Sequence, residues 1–225
     1  MRPILISLTA IFLLIAGPAE KSILAAEPTE RSFEQVLRAV DRYYDTLHSI
    51  EASFSQLVQV PVLEKSETYH GRLYYLKPHY LRLEYSEPEG QLLVADGRWY
   101  WFVMPQPDIM QAMRAPMRED KTSAPCYVLG GKMLEHYTGR LAGTEKRRGI
   151  PTYVLDLKPV KPNPYYRTLR AWIDASSFAT RAVQYQDESG NYNTFDLFDI
   201  EENTPVSPKK FIFEPPPGTQ ILDTE

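Results

Sequence analysis

Four histidines, one cysteine and a spread of carboxylates are the side chains with which this chain could do chemistry. His48, His70, His79 and His136 are scattered and show no H-x-x-x-H spacing, so no metal site is implied. Glu135 beside His136 imitates an acid/base pair, yet adjacent residues on a helix point about 100° apart. No G-x-S-x-G elbow and no glycine-rich phosphate loop occurs, and Cys126 has no histidine at a useful position. A lone cysteine forms no intramolecular disulfide and reads as a small buried hydrophobe. The carboxylates sit mostly at turns and on wet faces. The residues thus imply no catalyst, no metal and no cofactor. What they do offer is aromatic surface: 15 Tyr, 9 Phe and 3 Trp, much of it inside strands, more oily surface than the few predicted helices can cover. That supply suits an apolar ligand.

The elements that must position this surface centre on Gly71 to Met104. Apolar residues recur there at every second position, broken at Lys77-Pro78, at Glu87 to Gly90 and at Asp96-Gly97, which predicts four successive strands. Leu73, Tyr75 and Lys77 share one face. Leu81, Leu83 and Tyr85 share one face, with Tyr80, Arg82 and Glu84 opposed. The run Trp99 to Met104 is apolar on both faces, so something must cover the second.

Upstream, Ser32 and Gln35 form a capping-box pattern, and Phe33, Val36, Leu37, Val40, Tyr44 and Leu47 follow helical spacing, predicting an amphipathic helix to about Ser49. Ile50 to Val60 reads as the first strand. Ile109 to Arg114 reads as another, followed by short helices around Cys126 to Leu129 and Lys132 to Tyr137. Further strands are expected at Arg140 to Lys146, Thr152 to Leu157, Thr168 to Asp174, Thr180 to Asp187 and Tyr192 to Glu201. About ten antiparallel strands with few helices imply a mainly β fold, a strongly curved sheet or barrel.

Residues 1–26 start with Arg2, continue into the apolar run Ile4 to Ala16 and end in small residues, the pattern of a signal peptide; that run is shorter than the ~20 residues a spanning helix needs. Residues 27–225 are then expected to form one domain, for which 43% hydrophobic residues suffice. Removing the leader, which carries Arg2, Lys21 and Glu20, takes the formal charge from −4 to −5. An acidic balance argues against a nucleic-acid partner.

Several short motifs occur in order: Phe54-Ser55-Gln56; Gly71-x-Leu73 leading into Lys77-Pro78-x-x-Leu81-Arg82-Leu83; Pro88; Val94-Ala95-Asp96-Gly97 followed by Trp101; and Phe211-x-Phe213-x-Pro215-Pro216-x-Gly218. Together they resemble the periplasmic carriers of lipoproteins, the LolA type. The resemblance implies an incomplete, half-open antiparallel β-barrel of about eleven strands, with an α-helical lid over an apolar cavity. It implies a non-enzymatic, monomeric carrier in the periplasm that receives acylated lipoproteins from an inner-membrane ABC transporter complex and passes them to an outer-membrane acceptor lipoprotein. A lipid-binding wall of Leu73, Tyr75, Leu81, Leu83, Tyr85, Trp101, Leu155 and Leu157 follows from it. So does a lid of Phe33, Val36, Leu37, Val40, Tyr44 and Leu47. The family's latch Arg before the hairpin Pro is replaced by Lys77, which can donate hydrogen bonds but lacks the planar fork. A carrier of another envelope lipid, such as a glycolipid or fatty acid, is the alternative; a membrane-anchored acceptor of this fold would need a Cys after the leader.

Overall fold

A computed structural model describes residues 31–224 apart from 88, 107–108, 118–130 and 164–165. The leader, Cys126 and the helix expected around it lie outside the described residues. Helix α1 (Phe33–Asp45) begins where the sequence places it. The Gln35 N–H donates to the Ser32 hydroxyl at 3.3 Å, and the Ser32 N–H donates to the Gln35 side chain at 2.8 Å, so two otherwise unpaired backbone donors are satisfied. It ends at Asp45, short of Ser49, because Thr46 caps the last turn through Tyr43 O and Ser49 is already paired with Leu76 in the sheet. Leu47 stays buried although it has left the helix.

Among the described residues twelve strands follow: β1 (Ser49–Val60), β2 (Lys65–Leu76), β3 (Tyr80–Tyr85), β4 (Leu92–Asp96), β5 (Trp99–Pro105), β6 (Met110–Pro116), β7 (Tyr137–Arg147), β8 (Ile150–Pro159), β9 (Leu169–Asp174), β10 (Thr180–Gln186), β11 (Tyr192–Glu202) and β12 (Gln220–Asp223). A one-turn helix α2 (Met133–His136) leads into β7. The strands form one sheet in the order β12-β6-β5-β4-β3-β2-β1-β11-β10-β9-β8-β7. β12 and β7 are its two edges, so the barrel is not closed. The order is a run of hairpins except at two places. β1 pairs β11, joining the two halves, and β12 pairs β6 in parallel. That parallel strand corrects the all-antiparallel expectation: a four-residue strand after Pro215-Pro216 carries too little alternation to be read locally.

The sheet curves around one main core. Inward residues from β1, β2, β3, β8, β9, β10 and β11 converge with Val36, Leu37, Val40 and Tyr44 of α1 in a single apolar cluster. The outer face carries a smaller cluster of Val94, Trp101, Val103 and Ala112, against which Phe213 packs. Phe213 meets the Trp101 ring edge-on at 5.3 Å, and Phe211 meets Tyr80 at 5.5 Å. The C-terminal segment is therefore the cover that a strand apolar on both faces requires.

The β9–β10 turn is held by a nearly buried carboxylate. Asp174 accepts from the Ser176 hydroxyl and N–H at 2.6 and 2.8 Å, from the Ser177 N–H at 3.1 Å, and from Arg181 at 2.8 and 3.0 Å. Burial by itself pushes this carboxyl up, but the Ser176, Arg181 and Ser177 hydrogen bonds outweigh it and hold the pKa down to about 2. A depressed carboxylate contributes its stability above its unfolded-state value of 3.8 and loses it as pH falls towards 2. Asp174→Asn is therefore expected to cost about 2 kcal/mol at pH 7. In urea melts at stepped pH, the gap between variant and parent should shrink between pH 4 and pH 2. A gap independent of pH would refute the assignment.

Candidate functional site

The candidate site is the concave wall and the helix against it. Alternation along β2 and β3 places Leu73, Tyr75, Leu81, Leu83 and Tyr85 inward, and cross-strand pairing aligns them: Leu73 opposite Leu83, Tyr75 opposite Leu81. Leu155 and Leu157 face them from β8. All seven belong to the main core and are at most 8% exposed. Residues the sequence reading did not assign to the wall complete it: Phe54 on β1, Ala171 and Ile173 on β9, Val183 on β10, Phe195 and Leu197 on β11. Their signal was present in the same two-residue period of β9 and β11.

Trp101 is a correction. Leu83 pairs Leu93 and Ala95 pairs Tyr100, so Leu81, Leu83, Leu93, Ala95 and Tyr100 share the inner face. Trp101 pairs Val94, whose partner on β3 is Arg82. It thus points outward, where its indole N–H donates to Asp96 at 3.1 Å and the Arg114 guanidinium lies 5.3 Å from its ring. The parity of the turn at Asp96-Gly97 decides this face, and composition does not reveal it.

Helix α1 occupies the wall in this arrangement. Val36, Leu37 and Val40 are wholly buried on it, Tyr44 and Leu47 nearly so, and Phe33 packs at its margin. Its ends touch the same end of the sheet. Arg31, just before the helix, lies over the Phe178 ring at 5.1 Å, beside the β9–β10 turn. At the other end Lys77 Nζ donates to Tyr44 O at 2.9 Å and to Asp45 O at 3.3 Å, carbonyls of the last helical turn whose partial negative charge favours a cation. The Tyr43 hydroxyl donates to Glu202 at 2.6 Å, and the Tyr44 hydroxyl accepts from the Thr180 N–H at 3.2 Å. Full burial pushes the Tyr44 hydroxyl up to about 12, so it stays neutral. A tie missed from sequence runs from Asp41 to α2: its carboxylate accepts from the N–H groups of Met133 and Leu134 at 2.6 and 3.3 Å. Nothing local in the sequence pairs residues so far apart.

Chemically the arrangement offers a large apolar surface that can take hydrocarbon. Among the described residues no three His, Cys, Asp or Glu side chains gather as metal ligands.

Residues 45–214 match the family model described as "Outer membrane lipoprotein carrier protein LolA". The chain belongs to the LolA family. The outer-membrane lipoprotein carrier protein of Neisseria meningitidis serogroup B is 27% identical over 184 residues, covering 82% of this chain and 85% of the relative. That of Leptothrix cholodnii is 27% identical over 185 residues, covering 82% and 84%. Among solved structures, an uncharacterized conserved protein from Thermus thermophilus superposes with a TM-score of 0.54 at 14% identity, over 85% of this chain and 98% of that one. That likeness concerns the fold alone. The open twelve-stranded sheet is consistent with the half-barrel of that family, and α1 packs on its concave face. The Lys77 ammonium rests on the last carbonyls of α1.

Proposed function

We propose that this protein carries lipoproteins across the periplasm by taking their acyl chains onto the wall that α1 now covers. The observation that carries the reading is the conjunction of an apolar concave face drawn from both halves of the sheet with the amphipathic helix α1 lying on it, in a chain of the LolA family. Burying acyl chains contributes about 0.8 kcal/mol per CH₂, so cargo does not leave a membrane unaided at a useful rate. An inner-membrane ABC transporter complex supplies the loading work, and an outer-membrane acceptor lipoprotein takes the cargo. When α1 packs back on the wall it competes with the chains, which favours release. The protein acts as a carrier and not as a catalyst. Residues 1–26 serve as the export leader; the intact mass of protein recovered from the periplasm should lack them and carry no added diacylglyceryl group.

Purification from the native envelope followed by mass spectrometry of organic extracts tests the reading. Acylated lipoprotein in the extract supports it. Free glycolipid or fatty acid in its place would move the assignment to a carrier of another lipid.

Lys77 is the latch in this reading. Lys77→Leu removes two hydrogen bonds to the end of α1 while leaving the wall oily, so the covered state should lose about 1 kcal/mol. The open, accepting population rises about fivefold. Delivery to acceptor-bearing membranes should slow, binding of a fluorescent lipid probe should strengthen, and Lys77→Arg should behave as the parent. Unchanged transfer and binding in Lys77→Leu would place the latch elsewhere.

A further inference from the structure

The inward-facing series of five adjacent strands each turn polar towards one end, along a diagonal that steps by two residues between Tyr85 and Gln56 and by two more between Gln56 and Asn193. Reading away from the end where Lys77, Thr180 and Glu202 hold α1, β1 presents Ala52, Phe54 and then Gln56. β3 presents Leu81, Leu83 and then Tyr85, and β11 presents Leu197, Phe195 and then Asn193. β2 runs through Tyr75, Leu73 and Gly71 to Tyr69, and β10 through Val183 to Tyr185. Pairing brings these last positions together: Gln56 opposite Tyr69, and Asn193 opposite Tyr185. The Tyr85 hydroxyl donates to Gln56 Oε1 at 2.8 Å, and Gln56 Nε2 donates to Asn193 Oδ1 at 3.1 Å. Gln56, Tyr85 and Asn193 are each more than nine-tenths buried.

A polar chain crossing four strands inside an apolar wall is costly to bury, and its members here satisfy one another. Each also keeps the capacity to donate elsewhere: a tyrosine hydroxyl rotates, and an amide NH₂ has two hydrogens. Carbonyl oxygens only accept. From Ile50 to Gln56 the wall runs six residues, about 20 Å at 3.3 Å per residue. One leaflet of acyl chains fills a depth of about 15 Å, half of a 30 Å bilayer core. The wall thus has the length of an acyl chain and ends in donors at the level where a chain joins its ester or amide.

We propose that Gln56, Tyr85 and Asn193, flanked by Tyr69 and Tyr185, bind the ester and amide carbonyls through which acyl chains are attached to the cargo. The chains then point towards α1, and the attached polypeptide leaves at the opposite end of the wall. In this structure the donors pair among themselves; cargo carbonyls replace those partners. This rests on the carrier reading and deepens it: the ligand recognised is an acyl ester or amide, and hydrocarbon alone does not satisfy the belt.

The test compares two probes on the mature full-length protein: a synthetic cysteine lipopeptide bearing N-acyl and S-diacylglyceryl groups, and its analogue with alkyl ethers in place of the esters. The parent should bind the ester lipopeptide about tenfold more tightly than the ether analogue, the equivalent of one to two hydrogen bonds. Tyr85→Phe and Asn193→Leu should each shrink that ratio towards one, mainly by weakening ester binding. The ratio is read within each protein, so a general loss of stability does not imitate it, and the parent ratio decides the matter even if a variant fails to fold. Equal binding of the two probes by the parent, or a ratio undiminished in both variants, overturns the belt. Failure of the parent to bind either probe overturns the carrier reading itself.

Discussion

Leu83→Glu should abolish binding of apolar ligands and lower stability by about 4 kcal/mol. Leu83 is 1% exposed, lies opposite Leu73 on one side and Leu93 on the other, and belongs to the main core. A carboxylate there is placed between Leu73 and Leu93 inside the main core. It either stays charged at a large desolvation cost or takes up a proton at a cost that grows with pH. The carboxyl is forced upward in the fold, so the deficit is larger at pH 8 than at pH 5. For a domain of this size the loss corresponds to a fall of roughly 10 °C in Tm. The neighbouring position supplies the control. Arg82 points to the outer face, where its guanidinium donates to Glu84 at 2.6 Å and to Lys210 O at 3.1 Å. Arg82→Gln should cost only about 1 kcal/mol and leave lipid binding intact. Thermal melts and titration with a fluorescent lipid probe read both quantities. Equal losses of binding in the two variants would mean that the faces of β3 are misassigned.

A second large effect is expected from one methyl group. Gly71→Ala places a Cβ 2.1 Å from Glu84 O and 2.7 Å from two atoms of the Phe54 ring. The requirement for glycine is space and not an unusual φ. Glu84 O belongs to β3, fixed in register by the Leu73–Leu83 and Tyr75–Leu81 pairs, so it cannot retreat without breaking the ladder. The Phe54 ring is enclosed by Tyr85 at 5.1 Å and Phe195 at 5.9 Å. Both strand and ring have to move, and the expected cost is about 3 kcal/mol. Urea unfolding at pH 7 measures it, and a change below about 1 kcal/mol would show that β2 and β3 are less closely apposed than described. Because Phe54 and Tyr85 shift together, the altered wall should also bind lipid more weakly.

These two residues illustrate how the site is built. Leu83 is legible locally: Leu81, Leu83 and Tyr85 alternate with Arg82 and Glu84, and any sheet that buries one face must bury the oily one. Gly71 stands in a motif of the family, but the reason for it, a carbonyl of the next strand and a ring from the previous one, exists only after β1, β2 and β3 are assembled.

The strands other than β12, the capped amphipathic helix, the inward set on β2 and β3 and, through ordered motifs from Phe54 to Gly218, the family are all legible in the chain before it folds. Each of these rests on a period of two or 3.6 residues, or on short spacings, and such patterns survive without any partner being known. The tertiary structure alone decided the rest. It turned Trp101 outward, because register across the Asp96-Gly97 turn, and not hydrophobicity, chooses the face of β5. It stopped α1 at Asp45, because Ser49 is claimed by Leu76, and it added the parallel edge strand β12 beside β6. It put Lys77 Nζ on the carbonyls of Tyr44 and Asp45 and joined Gln56 to Asn193 across 137 residues of chain. Contacts between residues distant in sequence leave no period to read. They are fixed by strand order and curvature, which the whole chain sets together.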